Sequence, residues 1–255
     1  MNYLWYPLVV IFDLSLDSIS QKLNCELAVV IPVYNESASI QTVCDEWVAK
    51  FSELNIDYLL ILVNDGSKDD SLEKMQKING NLAIVHKHNS GHGRSIRLGY
   101  DFALQKTSAS FIMQIDSDGQ CRPEFFDSFW QIRDQHHFIL GKRETRGDGG
   151  ARKVTSQLSA FFSSMLTGIR LADPNTPYRI IQNEALEDAL SFIPESFDIH
   201  NIALSYVMAK KKYRIARPPI EFPERIGGEN SINVLRVVQM GLGLLFDLYF
   251  LKKRL

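Results

Sequence analysis

Several protein classes are excluded by what this chain lacks. Among its 255 residues are only three cysteines, Cys25, Cys44 and Cys121, widely separated and with no CxxC pair. That pattern argues against a disulfide framework and a zinc knuckle, and it fits a reducing compartment. Net charge is nearly absent, at -2. No global field therefore draws the chain to nucleic acid, and any anion site must come from local clusters. Internal repeats, low-complexity tracts and long linkers are missing.

Long apolar runs are also scarce. The run from Tyr3 to Phe12 contains Pro7 and stops at Asp13, too short to span a bilayer. It lacks the basic start of a signal peptide. Residues 1–25 therefore read as an N-terminal flap, packed on the domain or on a membrane surface. Near the other end, Ile232 to Leu251 is rich in Leu, Val and Phe but carries Arg236, Gln239 and Asp247, with Lys252, Lys253 and Arg254 behind it. Burying an Arg and an Asp in lipid is expensive. Residues 232–255 are thus expected to form an apolar or amphipathic helix, lying at a membrane interface, on a partner subunit, or on its own domain.

The composition, 45% apolar and 23% charged, is that of a globular chain long enough to bury a substantial core. Its first half alternates short β-rich runs with helical patterns. Leu27 to Val33, Tyr58 to Val63, Leu82 to Val85 and Ser110 to Ile115 read as strands. Between them, Ile40, Val43, Trp47 and Phe51 share one helical stripe, Leu72, Met75 and Ile78 mark a short helix, and Arg94 to Gln105 reads as a third. This alternation implies a mostly parallel sheet with right-handed crossovers. Such sheets bind ligands beyond the carboxyl ends of their strands.

Beyond Ile115 the pattern is less regular. Gly141 to Lys153 is glycine-rich and basic and reads as a mobile loop. Val154 to Ile169 reads as an amphipathic helix, Tyr178 to Ile181 and Tyr213 to Ala216 as strands, and His200 to Lys211 as a helix. Pro218, Pro219 and Pro223 interrupt any regular pattern after Ala216.

Three polar turns follow the parallel strands: Tyr34-Asn35-Glu36, Asn64-Asp65-Gly66-Ser67 and Asp116-Ser117-Asp118. The topology brings them to one cleft. Asp116 and Asp118 repel each other unless a cation or donors neutralise them, and a hard divalent ion with bridging phosphates is one answer. Gln120 adds a neutral oxygen. An isolated Asp-x-Asp is more often a solvated turn; the apolar strand before it and the companion turns favour the metal. Asp65 suits a base or ribose, although an Asp-Gly turn capping the next helix has the same sequence. Gly91 and Gly93, ahead of a helix, permit close backbone approach to an anion, with His92, Arg94 and Arg97 adding charge; a plain loop reads the same way. Lys142, Arg143, Arg146, Arg152 and Lys153 form a basic cluster, either a solvated loop or a clamp on a departing diphosphate. Arg225 offers a second such contact.

These stretches, in this order, resemble family 2 glycosyltransferases. The likeness is nearest to the dolichyl-phosphate mannosyltransferase and polyprenyl-phosphate glycosyltransferase branch. It is carried by Pro32-Val33-Tyr34-Asn35-Glu36, Asn64 to Ser67, Asn89 to Gly99, Asp116 to Gln120 with Pro123-Glu124, Gly141-Lys142-Arg143, Asp173, Tyr178-Arg179, and Arg225 to Glu229.

The resemblance implies a GT-A fold, a Rossmann-like, mostly parallel central sheet flanked by helices, over residues 26–231. It implies inverting, hexosyltransferase-type transfer from a UDP- or GDP-linked sugar. Pro32, Tyr34, Glu36, Asp65, Gly93, Asp116 and Arg152 would line the donor. Asp118 and Gln120, with Asp116, would hold Mg²⁺ or Mn²⁺, and Arg143, Arg152 and Arg225 would face phosphates.

Polyprenyl phosphate is the expected acceptor, which places the chain in the cytoplasm, peripheral on the membrane's cytoplasmic face, with a homo-oligomer open. A phosphate acceptor needs no strong base, whereas a hydroxyl acceptor does; Asp198 and His200 are the nearest candidates. The chain departs from the branch at Asn230 and Ser231, where Ser and Lys are usual, and at Arg217-Pro218-Pro219, where Glu-Val-Pro is usual. A glycan or small-molecule hydroxyl is the alternative acceptor. A non-catalytic nucleotide-binding scaffold is the alternative function.

Overall fold

The computed structural model describes residues 9–13, 22–146, 173–223 and 249–255. The helix expected from Val154 to Ile169, the residues Arg152 and Arg225, and most of the 232–255 segment lie outside the described residues. In chain order the elements are β1 (Val9–Asp13), β2 (Leu27–Val33), α1 (Ile40–Glu53), β3 (Tyr58–Asn64), α2 (Ser71–Gln76), β4 (Leu82–His86), α3 (His92–Lys106), β5 (Phe111–Gln114) and α4 (Phe126–Trp130). They continue with β6 (Phe138–Leu140), β7 (Lys142–Arg146), β8 (Arg179–Gln182), α5 (Asn183–Leu190), α6 (His200–Lys210), β9 (Ile215–Ala216) and β10 (Pro219–Phe222).

Eight strands form one mixed sheet in the order β1-β4-β3-β2-β5-β8-β6-β9. The pairs from β1 to β5 are parallel, and β8 runs antiparallel to both its neighbours. β2 and β3 are buried at every position, as expected of parallel strands with helices on both faces. Side chains alternate across the sheet. Ala28, Val30, Ile61 and Val63 pack on the side of α3, α5 and α6, and Val29, Ile31, Leu60 and Leu62 pack on the side of α1, α2 and α4.

On that second side α1 buries Ile40, Val43, Cys44, Trp47 and Phe51, a stripe at helical spacing. Trp47 meets Phe51, Phe126 and Tyr178 at centroid distances of 5.4 to 5.8 Å. Its indole nitrogen donates to the Cys121 carbonyl at 3.2 Å, and the Tyr178 hydroxyl donates to the Arg122 carbonyl at 3.1 Å. The aromatic cluster thereby holds the segment just past Asp118 from beneath. All three cysteines are free and buried. Burial pushes the Cys25 thiol up to about 12, the hydrogen bond from Thr107 offsetting only part, and drives Cys44 and Cys121 upward as well.

Three sequence expectations change. Val9–Asp13, within the segment set apart as a flap, is the edge strand of the main sheet, parallel to β4. The stretch read as a loop from Gly141 contains β7, and the proline-rich stretch contains β10; the two pair in parallel as a small separate sheet. Neither is marked locally, because each pairs with a strand more than 70 positions away and Pro219 opens its strand, where a missing N–H is tolerated. Of the expected C-terminal helix, residues 249–254 are helical. Leu251 is buried in the α3/α6 core with Leu255 against it, and Tyr249 and Phe250 are exposed. Among the described residues no helix is long and apolar enough to cross a membrane.

The close approach of α3 to the sheet depends on Gly99, where a Cβ would collide with the Val30 side chain and press on Val63. Gly99→Ala is expected to destabilise the fold by about 1–3 kcal/mol, the usual range for overpacking. Urea unfolding measures this, and an unchanged midpoint would show that Val30 moves aside freely.

Candidate active site

The site begins where the central ladder stops. In β2, Val30 accepts from Ile115 N–H at 3.2 Å. Pro32, two residues on, faces the same neighbour but has no N–H to continue the pairing. Its carbonyl is met instead by the Ser117 hydroxyl at 2.9 Å. The Asp116-Ser117-Asp118 turn therefore leaves the sheet at this point, pinned by one side-chain bond.

On the other side of β2, the first two turns interlock. Asp65 N–H donates to the Val33 carbonyl at 2.9 Å. Asn35, at a φ of 54°, donates its N–H to Ser67 Oγ and accepts from Lys68 N–H. Glu36 N–H donates to Ser71 Oγ at 2.8 Å, and Glu36 Oε2 accepts from the Ser39 hydroxyl at 2.9 Å. Tyr34 is exposed at the cleft edge.

Asp65 itself is buried, with 3% of its surface exposed. One carboxylate oxygen takes the Lys87 ammonium and the Ser90 N–H, and the other takes the Gly91 N–H at 3.0 Å. Lys87 also donates to Ser90 Oγ at 2.6 Å. The expected nucleoside contact is thus occupied by the chain's own 87–91 segment. Lys87 is the partner of Asp65 that the sequence does not announce; its signal is a lysine directly after an apolar strand, facing an aspartate on the adjacent strand end.

In the third turn, Asp118 is buried and its Oδ1 accepts Gln120 N–H at 3.1 Å. The Gln120 side-chain amide donates to the Pro223 carbonyl at 2.8 Å, tying the turn to the end of β10. Asp116 is more open, and its Oδ1 is a buried atom with no hydrogen-bond partner. The His92 ring nitrogen stands 3.6 Å from that oxygen, beyond hydrogen-bond reach.

The rim is cationic and partly self-paired. Arg143, on β7, meets Asp173 through two nearly parallel bonds, Nε to Oδ2 at 2.6 Å and Nη2 to Oδ1, and lies 5.2 Å from the Phe222 ring centre. Burial tends to lower its pKa, but Asp173, with Asp116 and Cys121, holds the guanidinium above its ordinary value. Gly93 differs from expectation: a Cβ there would collide with the Asp198 carbonyl, so the approach it permits is to the chain's own backbone. Asp198 is exposed, 3.8 Å from Arg94. His200 is buried, its pKa brought down to about 3 by burial and by Arg97 and Arg179, so it stays neutral.

These residues fit a hard divalent cation in one specific way. Among the described residues no group of three or more His, Cys, Asp or Glu side chains converges. The chain offers carboxylates at one turn, with an unpartnered oxygen on Asp116. Mg²⁺-type sites are built this way, from one or two carboxylates completed by phosphate oxygens and water.

The sheet order and the carboxylate turn are those of a GT-A-like fold. A model of the family described as "Glycosyl transferase family 2" matches residues 28–198, and the chain belongs to that family of glycosyltransferase enzymes. The chain is 26% identical, over 88% of its own length and 68% of the relative's, to an undecaprenyl-phosphate 4-deoxy-4-formamido-L-arabinose transferase of Proteus mirabilis. It is 27% identical to the enzyme of the same description from Pseudomonas aeruginosa, over 87% and 63% of the two lengths. The chain thus spans about two thirds of these relatives.

Among solved structures it resembles glucosyl-3-phosphoglycerate synthase from Mycobacterium tuberculosis in complex with Mn²⁺, UDP and phosphoglyceric acid. That match has a TM-score of 0.65 at 18% identity and covers 89% of this chain and 78% of the other. The same protein with Mg²⁺ and UDP gives a TM-score of 0.62 at 19% identity, covering 90% and 79%.

The Asp65–Lys87 pair is a buried ion pair, so breaking it leaves one charge without a partner. Asp65→Ala is expected to cost about 3–5 kcal/mol in urea unfolding. In the Asp65→Ala/Lys87→Met double variant the loss should fall well below the sum of the two single losses. Additive losses would mean that the two side chains act independently.

Proposed function

We propose that the chain transfers a sugar, with inversion, from a UDP-sugar to an acceptor that carries a phosphate, with Mg²⁺ or Mn²⁺ held at Asp116 and Asp118. The observation that carries this is the unpartnered Asp116 oxygen beside the buried Asp118, at the carboxyl edge of a sheet whose first two turns are locked together. Mn²⁺, Mg²⁺ and UDP in the named complexes of the structural relative support the donor and the metal.

Both groups of relatives have names in which the acceptor bears phosphate, undecaprenyl phosphate in one and phosphoglycerate in the other. The shared chemistry is the reading we adopt. When bound, the cation offsets charge on the departing diphosphate. Asp116 and Asp118 hold it, with Gln120 fixing the turn through Pro223. His92 stands where it can donate to a diphosphate oxygen. Arg143 reaches the same charge by exchanging the Asp173 carboxylate for phosphate, a trade that keeps its two-pronged geometry. Arg152 and Arg225 are proposed for the same diphosphate. Tyr34, Glu36 and the Pro32 end of β2 border the nucleoside, and the Asp65–Lys87 clasp shapes that wall.

The acceptor divides into two cases by the need for a base. A phosphate oxygen attacks directly. A hydroxyl must lose its proton, and the exposed Asp198, two residues before α6, is the group we assign to take it, since His200 is buried. The fold likeness to a synthase with a small phosphorylated acid favours the hydroxyl case, and the sequence likeness favours the lipid phosphate, which would bring the exposed Tyr249, Phe250, Lys252 and Lys253 to a membrane surface.

Nucleotide release from UDP- and GDP-sugars, with Mn²⁺ or Mg²⁺, is the deciding assay. Release is expected with UDP-sugars and to depend on one of two added acceptors, polyprenyl phosphate or a phosphorylated hydroxy acid. Chelation should abolish it and added Mn²⁺ restore it. Asp118→Ala should lower turnover by at least about 10²-fold while unfolding at the wild-type temperature. Metal-dependent UDP binding with no release for any acceptor would leave a nucleotide-binding scaffold in its place.

A further inference from the structure

Arg179 is wholly buried at the start of β8, where it pairs across the sheet with Gln114, two residues before Asp116. Its guanidinium is surrounded by carbonyl oxygens. Nε donates to Thr176 O at 3.0 Å, Nη1 to Asn201 O at 3.3 Å, and Nη2 to Pro174 O at 3.2 Å and again to Thr176 O. No carboxylate among the described residues forms an ion pair with it; the Asp173 carboxylate, three residues before Thr176, is taken by Arg143. A cation so placed is costly, and natural chains rarely bury one unpaired. Burial pulls its pKa down, while the carboxylates of Asp116 and Asp173 act in the opposite sense. Beside it, Gln114 Nε2 and Asp116 Oδ1 are both buried without a hydrogen-bond partner.

That position has two consequences. The fork fixes the 174–176 carbonyls, and so fixes the turn that presents Asp173 to Arg143. The charge also acts on Asp116, two residues past the cross-strand neighbour Gln114. We infer that Arg179 is a positioning residue, a fixed internal counter-charge that holds the Asp116–Asp118 turn together before the cation arrives and sets how tightly the cation is then held. This rests on the proposed metal reading of the aspartates. Two carboxylates kept close without a cation repel each other; a permanent positive charge acting on Asp116 reduces that repulsion, and weakens the grip on the metal by the same field. The metal can then leave with the spent nucleotide.

The sign of the effect separates this role from plain structural support. Mn²⁺ would be titrated into the full chain with UDP present, following the signal of bound Mn²⁺ by electron paramagnetic resonance, for wild type, Arg179→Lys and Arg179→Met. Thermal unfolding would be recorded for each. Arg179→Met removes the opposing charge and is expected to bind Mn²⁺ about tenfold tighter, even though it unfolds at a lower temperature. Arg179→Lys keeps the charge and should stay within about twofold of wild type. If Arg179→Met does not fold, Arg179→Gln carries the same expectation. Weaker or unchanged Mn²⁺ binding in the neutral variants would overturn the counter-charge role while leaving the metal site standing. Failure of the wild type to bind Mn²⁺ at all would overturn the metal reading first, and this inference with it.

Discussion

The site depends on a proline in the middle of the sheet. Pro32 lies in the central strand, facing β5, and cannot donate the hydrogen bond that would carry the β2–β5 ladder further. Had the ladder continued, residues 116–118 would extend β5 as strand, with Asp116 and Asp118 on one face of the sheet and Ser117 on the other. Because it stops, the chain after Ile115 turns out of the sheet, and the Ser117 hydroxyl takes the carbonyl that a backbone N–H would have taken. The partner on the other side is unaffected: Val33 still receives the Asp65 N–H. One missing proton thus separates two strand ends and gives the carboxylates a place outside the core.

Everything around this opening is built to withstand charge. Both faces of the sheet are apolar, so ionised groups are confined to its carboxyl edge or must be satisfied in full. Asp65 and Lys87 satisfy each other with help from two backbone donors. Arg143 and Asp173 do so in a planar pair. Arg179 is satisfied by carbonyl dipoles alone. Two of the buried polar atoms left without partners, on Asp116 and Gln114, adjoin this same edge.

How much of this could be read from sequence depended on the range of the interaction. β2, β3 and β4 were legible because strands covered on both faces must be continuously apolar. α1 was legible because its stripe repeats at 3.6 residues. The aspartate turn stood out because two acids end an apolar run. By contrast, β7 is Lys-Arg-Glu-Thr-Arg, with no apolar signal, and is a strand only because β10 returns beside it. The stretch from Asn89 to Arg94 looked like a ligand loop because it is polar and glycine-containing, yet its Ser90 and Gly91 N–H groups serve Asp65. Gly93 looked like room for a phosphate and is room for the backbone at Asp198. Arg179 sat in plain view within an apolar strand; an arginine there has to be explained by a partner or by a task, and only the three-dimensional arrangement shows that no acid among the described residues pairs with it.

The burial of the three thiols bears on how this enzyme can be studied. Cys25, Cys44 and Cys121 are shielded from solvent and their thiolates are disfavoured, so at neutral pH they should react slowly with maleimides or iodoacetamides. A single cysteine introduced on the surface, for example at the exposed rim beside Tyr34, would then be the one site to accept a fluorophore or a spin label. Opening and closing of the cleft could be followed in the otherwise native chain, without first removing residues from its core.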